Sequence, residues 1–171
     1  KVVNYKTVMS DAASGFTSVT YPFPVIRMAD LYLMYAEALN EKGEDYATVL
    51  PWIDMVRERS GLQGVKESWD QYVGNSKYAT QTGLRQIIMQ ERRIELAFEG
   101  HYFWDVRRWK TATTELTQPL TGWKVRYGET DVDYYSENLV LVRDFTPKMY
   151  FWPIDIGELR KDPNLVQNYG W

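Results

Sequence analysis

The spacing of apolar residues along this chain is helical up to about residue 110 and alternating beyond it. Residues 1–24 show neither period, and Tyr21-Pro22-Phe23-Pro24 reads as extended because each proline disfavours helix at the residue before it. From Arg27 to Lys42 a helix is predicted, ended by Gly43. Its apolar residues, Met28, Ala29, Leu31, Tyr32, Leu33, Met34, Tyr35, Ala36, Ala38 and Leu39, run around most of the circumference and leave Asp30, Glu37 and Glu41 on a narrow polar edge. Such a helix is expected to be buried on several sides. A second helix is predicted from about Val49 to Ser60, with Thr48 as N-cap, Pro51 in the tolerated first turn and Gly61 as the stop.

Together these form a helix pair of about 34 residues, the length of one tetratricopeptide unit. One pair cannot bury both of its faces alone. Either other parts of the chain cover it, or further pairs lie upstream. The chain starts at a lysine in ordinary sequence, without a signal peptide or initiating methionine, which favours the second expectation.

Residues 62–80 read as a polar loop holding Trp69, Tyr72 and Tyr78. A third helix is predicted from an N-cap at Thr82 to a left-handed stop at Gly100. At about 100° per residue, Leu84, Ile87, Ile88, Ile94 and Phe98 share one face, and Glu91 and Glu95 fall within about 20° of its centre. A buried carboxylate is costly unless it neutralises itself or meets cations and hydrogen bonds. Arg85, Arg92, Arg93, Arg107 and Arg108 are close in sequence. A short helix from Tyr102 to Lys110 is expected to fold back and aim Arg107 or Arg108 at the glutamates. Trp104 and Trp109 on that helix, and Trp152 in the apolar run Met149 to Ile154, are expected in the core. Beyond residue 110, Trp123, Val125 and Tyr127, and less cleanly Leu139, Leu141 and Arg143, read as short strands flanking the acidic stretch 128–138.

Composition narrows the functions. The 171 residues suit one domain with a sizeable core. A net charge of −3 with no basic run gives no sign of nucleic-acid binding. No stretch of about 20 apolar residues exists to span a membrane. The absence of cysteine excludes thiolate metal sites, and the single histidine, His101, argues against a histidine-based zinc site. No phosphate-cradling glycine motif occurs, and no cofactor is indicated. Aromatic residues make up 15%, with 7 Trp and 13 Tyr, a composition suited to amphipathic ligands such as sugar rings.

Two readings of Glu91 and Glu95 compete. At i and i+4 their side chains lie about 5–6 Å apart, near the spacing of a retaining glycosidase pair. Alternatively they belong to a buried ion network with Arg92, Arg93, Glu99, Arg107 and Arg108 that locks helices together. The second is favoured, because adjacent arginines depress the pKa that a general acid needs raised. Candidate ligand-contacting aromatics are Trp69, Tyr72 and Tyr78, beside Asp70, Gln71 and Asn75, and Trp123, Tyr134 and Tyr135, beside Asp131, Asp133 and Asn138. They would offer flat platforms next to planar polar groups. Glu129, Asp131 and Asp133 could hold a hard cation, but the spacing lacks the features of a calcium loop. A solvated loop is the favoured reading, and no metal site is assigned.

Four segments in order carry a resemblance. Arg27-Met28-Ala29-Asp30-Leu31-Tyr32-Leu33-Met34-Tyr35-Ala36-Glu37-Ala38 resembles the helix that opens the C-terminal half of SusD/RagB proteins. Val56-Arg57-Glu58-Arg59-Ser60-Gly61-Leu62 resembles the end of its partner helix. Glu91 to Trp109 is similar to the family's "ERR-EL-FEG-R-FD-RRW" segment. Tyr150-Phe151-Trp152-Pro153-Ile154, Asn164-Leu165 and Gln167-Asn168-Tyr169-Gly170-Trp171 resemble its C-terminal "FPIP … NPNL-QNPG-" signature. Asp155 and Tyr169 replace usual prolines, and His101-Tyr102 stands where the family often has histidine-arginine. The resemblance covers about residues 25–171.

It implies a mainly α fold, a SusD-like α–α superhelix with one tetratricopeptide-like pair. The pair would lie at about 27–60, further helices at about 82–110, and an extended and loop region at 111–171, with short strands and long loops at 111–155. It implies a C-terminal portion whose N-terminal half lies elsewhere, and a binding protein rather than an enzyme. It further implies a glycan or other nutrient as ligand, a TonB-dependent transporter of the SusC type as partner, and an outer-membrane lipoprotein anchored at the cell surface through an N-terminal cysteine. A glycoside hydrolase using paired carboxylates, or a helical interaction scaffold, are the alternatives.

Overall fold

This computed structural model describes residues 25–123 and 130–171. Its elements in order are α1 (Met28–Lys42), α2 (Tyr46–Arg59), α3 (Val65–Ser68), a π turn (Trp69–Val73), a 3-10 turn (Lys77–Ala79), α4 (Gln81–Glu95), α5 (His101–Arg108), α6 (Ala112–Glu115), β1 (Leu120–Trp123), α7 (Asp131–Tyr134), β2 (Glu137–Leu141), a 3-10 turn (Pro147–Tyr150) and α8 (Ile156–Lys161). The structure is mainly helical and divides into two units, with the boundary after Tyr102, inside α5.

In the first unit the helices begin and end on local chemistry. Gly43 takes the left-handed conformation at φ +88°, and its N–H with that of Glu44 closes the last turn of α1 onto Asn40 and Leu39. Gly61, at φ +75°, ends α2 in the same way, with Leu62 N–H donating to the Arg57 carbonyl. Two caps differ from expectation. Asp45, not Thr48, caps α2, its carboxylate accepting from Thr48 N–H. The helix therefore starts earlier and carries Pro51 in its second turn. Thr80, not Thr82, caps α4 by accepting from Gly83 N–H. An aspartate three residues earlier and a threonine two residues earlier serve the first orphan N–H groups equally well, and sequence spacing did not distinguish them.

The core joins three helices. Leu33 and Ala36 of α1, Val49, Leu50, Ile53 and Val56 of α2, and Leu84, Ile87 and Ile88 of α4 form one cluster with Val65 and Tyr78. Thus α4 covers one side of the α1–α2 pair. The expected burial of α1 on several sides is seen only in part, toward α2 and α4. Leu33 and Ala36 are fully buried, whereas Met28, Leu31, Met34 and Tyr35 are exposed. Tyr35 meets the Trp52 ring edge-on at 4.7 Å.

Helix α4 stops at Glu95, short of Gly100. Arg27, the N-cap residue of α1, donates from Nη2 to the Glu95 carbonyl at 2.6 Å. A cation on one of the orphan carbonyls favours the ending there. Phe98 then takes φ +66°, outside helical geometry, and is 99% exposed rather than on the buried face; Ile94 is exposed too.

The second unit is held less by burial than by polar ties. Its buried apolar residues among those described are Val106, Ala112 and Phe145. Strands β1 and β2 pair antiparallel, with Leu120 opposite Leu141 and Trp123 opposite Glu137. Val125 and Tyr127, expected to extend the first strand, and Glu129 lie outside the described residues. The terminal segment docks through side-chain amides. Gln167 both accepts from Ile154 N–H (2.8 Å) and donates to the Ile154 carbonyl (3.0 Å), while Asn168 donates to the Trp152 carbonyl (2.7 Å). Trp171 Nε1 donates to the Lys148 and Phe151 carbonyls. Trp104 and Trp152, expected in the core, are 60% and 65% exposed; Trp109 is half-buried beneath the Arg108 guanidinium.

Gly83 offers a test of the fold. A Cβ there would sit 2.1 Å from the Lys77 carbonyl oxygen. Helix propensity alone would reward Gly83→Ala by about 1 kcal/mol. The backbone clash wins, so Gly83→Ala is expected to destabilise the protein by about 2 kcal/mol or more, measured as a lower urea midpoint at unchanged slope.

Candidate functional site

The acidic face of α4 and the loop aromatics are the two places where the sequence suggested function. Glu91 and Glu95 are both 8% exposed. Their cations come from far away in sequence. Arg57 of α2 donates to Glu91 at 3.0 Å. Arg59 of α2 donates to Glu95 at 2.6 Å, and Arg27 bridges Glu95 and Glu99 at 2.5 and 2.6 Å. Alongside, Arg92 reaches Asp30 of α1 at 2.8 Å, with both residues buried.

Within the first unit these charges come from Arg27, Arg57 and Arg59, which the sequence reading did not single out. Arg107 and Arg108 lie in the second unit. There Arg108 pairs with Asp105 at 2.8 Å, and the Arg107 guanidinium lies over the Phe103 ring, 3.5 Å from its centroid. Arg93 lies over the Tyr102 ring. Sequence proximity did not point to Arg27, Arg57 or Arg59, because the buried face of α4 meets α1 and α2. Arg57 and Arg59 stand in the quoted segment ending at Leu62, and Asp30 stands on the polar edge of α1. A charged residue on a helix face otherwise apolar was the available signal.

The pKa expectation also changes. Burial, opposed by the Arg57 guanidinium, raises the Glu91 carboxyl above the ordinary glutamate value. The direction suits a general acid, but the side chain is enclosed and hydrogen-bonded to Arg57. What this arrangement does chemically is neutralise charge between helices.

The aromatics separate into two groups. Tyr78 is 6% exposed, belongs to the core and donates its hydroxyl to Asp70 at 2.8 Å, so it offers no platform. Trp69 packs against the same core, with Lys77 Nζ 5.4 Å from its ring centroid. Tyr72 remains 72% exposed.

In the second unit the structure brings Trp123, Tyr134 and Tyr135 together at the Trp123–Glu137 end of the β1–β2 ladder, the tip of the hairpin among the described residues. Tyr135 stands edge-on to Trp123 at 5.8 Å and to Tyr134 at 4.9 Å. Trp123 is 57% and Tyr135 63% exposed. Helix α7 sets the tyrosines: Thr130 caps it by accepting from Asp133 N–H, and the Thr130 hydroxyl donates to the Asp133 carboxylate at 2.7 Å. Glu137, Asn138 and Asp131 are exposed around it. Exposed ring faces beside planar acceptors form a surface that can stack an apolar sugar face and bond its hydroxyl rim. No group of three or more candidate metal ligands occurs among the described residues.

The fold has clear relatives. The SusD family matches residues 1–171, and the chain belongs to that family. SusD-like protein P25 of Formosa agariphila is 39% identical over 144 residues, which are 84% of this chain and 23% of that protein. SusD-like protein P2 of the same organism is 37% identical over 98 residues, 57% of this chain and 18% of the relative. A SusD-like protein from Bacteroides fragilis superposes with a TM-score of 0.71 at 29% identity, covering 91% of this chain and 29% of that one. A SusD-like carbohydrate binding protein from the same species superposes at 0.66 with 32% identity, over 84% of this chain and 28% of that one. The chain thus spans about a quarter or less of the curated relatives it matches.

The raised Glu91 pKa has a measurable consequence. The folded protein holds this proton more tightly than the unfolded chain, so ionising Glu91 costs stability as pH rises from the ordinary glutamate value into the raised range. Stability of the wild type is expected to fall relative to Glu91→Gln across that window, and to run parallel to it below the window. Urea unfolding of both proteins over a pH series measures this, and a difference that stays constant with pH would refute it.

Proposed function

We propose that the chain is part of a cell-surface glycan-binding subunit that passes its ligand to a TonB-dependent outer-membrane transporter of the SusC type, and that it binds without hydrolysing. The observation carrying this reading is the exposed Trp123–Tyr135–Tyr134 cluster, three aromatic rings held clear of the core by a hairpin and a capped turn. Family membership supports it. So do two structural relatives, one named as a SusD-like carbohydrate binding protein and another as surface glycan-binding protein A from Bacteroides uniformis. The latter superposes with a TM-score of 0.54 at 26% identity over 84% of this chain and 27% of that one.

On this reading the ligand is a glycan or oligosaccharide, and the protein sits at the outer membrane as a lipoprotein. Among the described residues no helix is long and apolar enough to cross a membrane, so attachment would rest on a lipid anchor in a longer protein. Glu91 and Glu95 serve the scaffold, each already bonded to arginine.

Affinity electrophoresis through gels cast with a panel of polysaccharides tests the reading. One glycan is expected to retard the wild type, and Trp123→Ala should remove most of that retardation, since truncating a dominant aromatic contact costs about 2 kcal/mol or more. Tyr78→Phe should leave mobility unchanged. Release of products from the retarding glycan would overturn the non-hydrolytic part of the proposal.

A further inference from the structure

The second unit contains a seam of arginines that the glycan platform does not use. Arg107, on α5, makes no ion pair with a carboxylate among the described residues. Its guanidinium lies over the Phe103 ring and 5.1 Å from the centroid of Phe145, and it donates only to the Phe103 carbonyl, at 3.2 Å. Arg143, two positions before Phe145, meets only carbonyls among the described residues, those of Glu115 and Gln118 at 3.3 and 3.4 Å. Burial lowers the Arg107 pKa, as expected for a guanidinium without a counter-charge.

The polar inventory of this seam is unbalanced. Arg107 Nε, Arg143 Nε, Thr111 Oγ1 and Thr146 Oγ1 are buried without a hydrogen-bond partner. These are four of the five such side-chain atoms among the described residues, so the shortage of acceptors is local to the second unit. Tyr150 links two of its segments. Phe145 meets Tyr150 edge-on at 5.0 Å, and the Tyr150 hydroxyl accepts from Thr113 N–H, just after Thr111. Two cations and two hydroxyls can donate here, and an anion is a group that accepts from such a set.

The seam also has a geometric relation to the aromatic platform. Arg143 follows β2 and bonds to Gln118, just before β1, so it marks the base of the hairpin whose tip carries Trp123 and Tyr135. Four strand residues separate base from tip by roughly 13 Å, at about 3.3 Å per residue. A chain of sugar rings stacked at the tip could therefore bring a substituent to the base.

We propose that Arg107 and Arg143 receive an anionic substituent, a carboxylate or a sulfate, of an acidic glycan. This rests on the glycan-binding reading and narrows it to acidic polymers. Thr111 and Thr146 add hydroxyl donors to the same group. Phe103, which is 38% exposed, keeps the Arg107 fork flat and turned to the seam.

The test follows the arginine Nε–Hε resonances of the full-length protein, assigned with Arg107→Lys and Arg143→Lys. Probes are a galacturonic acid pentamer and its neutral methyl ester, sulfated dextran fragments and plain dextran, and sodium sulfate alone. At least one acidic oligosaccharide is expected to shift both resonances, with its neutral counterpart inert. Arg107→Gln should weaken that probe about tenfold, at unchanged melting temperature. Raising the salt to about 1 M, where the screening length is about 3 Å, should weaken it similarly. The proposal is overturned if neither acidic probe moves these resonances, if a neutral counterpart or sulfate alone moves them equally, or if they are already hydrogen-bonded to a carboxylate of the protein itself. Quenching of Trp123 fluorescence by a neutral oligosaccharide, without any arginine response, would keep the platform and remove the anion site.

Discussion

The first unit depends on the neutralisation of the acids that α4 turns inward. Moving a carboxylate out of water costs several kcal/mol unless cations and hydrogen bonds replace its hydration. Glu95 and Asp30 meet this requirement with Arg59, Arg27 and Arg92, and Glu91 meets it in part with Arg57. Each pair joins different helices, so the charges can be satisfied only when the three helices adopt one arrangement. Apolar packing among Leu33, Ile53 and Ile88 would tolerate small slides of helix on helix. The ion pairs do not, because a guanidinium displaced by a turn leaves a buried charge unmatched.

Arg27 shows how much one residue can fix. Two of its nitrogens hold Glu95 and Glu99, and a third caps the Glu95 carbonyl at the end of α4. Since Arg27 also precedes the first residue of α1, the start of one helix and the end of another are set by a single side chain. The chain between the end of α4 and Gly100 then turns through Phe98 at positive φ, a conformation costing about 1–3 kcal/mol for a non-glycine residue. The contacts of Arg27 on either side of that turn hold it.

Local chemistry was readable in the sequence where one residue suffices. Gly43 and Gly61 mark helix ends in both sequence and structure, because only a residue without Cβ adopts φ near +80° cheaply. The acids in the face of α4 were visible from helical arithmetic. Their partners were not, since nothing in a linear sequence says that Arg27 lies beside Glu95, 68 positions away. The same limit applies to the aromatics. Tyr78 and Tyr135 look alike in loop sequence, but one is capped by Asp70 inside the core and the other stands in solvent. Burial is a property of the assembled helices, and it divided the six candidate aromatics into two core members, Trp69 and Tyr78, a lone exposed Tyr72, and the cluster of Trp123, Tyr134 and Tyr135.

The second unit follows a different logic. With Val106, Ala112 and Phe145 as its buried apolar residues among those described, it is fixed mainly by amide side chains that read the backbone. Gln167 pairs with Ile154 as a strand would, and Asn168 and Trp171 extend the tie. Such ties involve a few fixed positions and leave the intervening loops unconstrained. The hairpin tip with Trp123 and Tyr135 can therefore vary in sequence without disturbing Gln167 or Asn168. The residues that hold the unit together are thus different from the aromatics exposed on the hairpin.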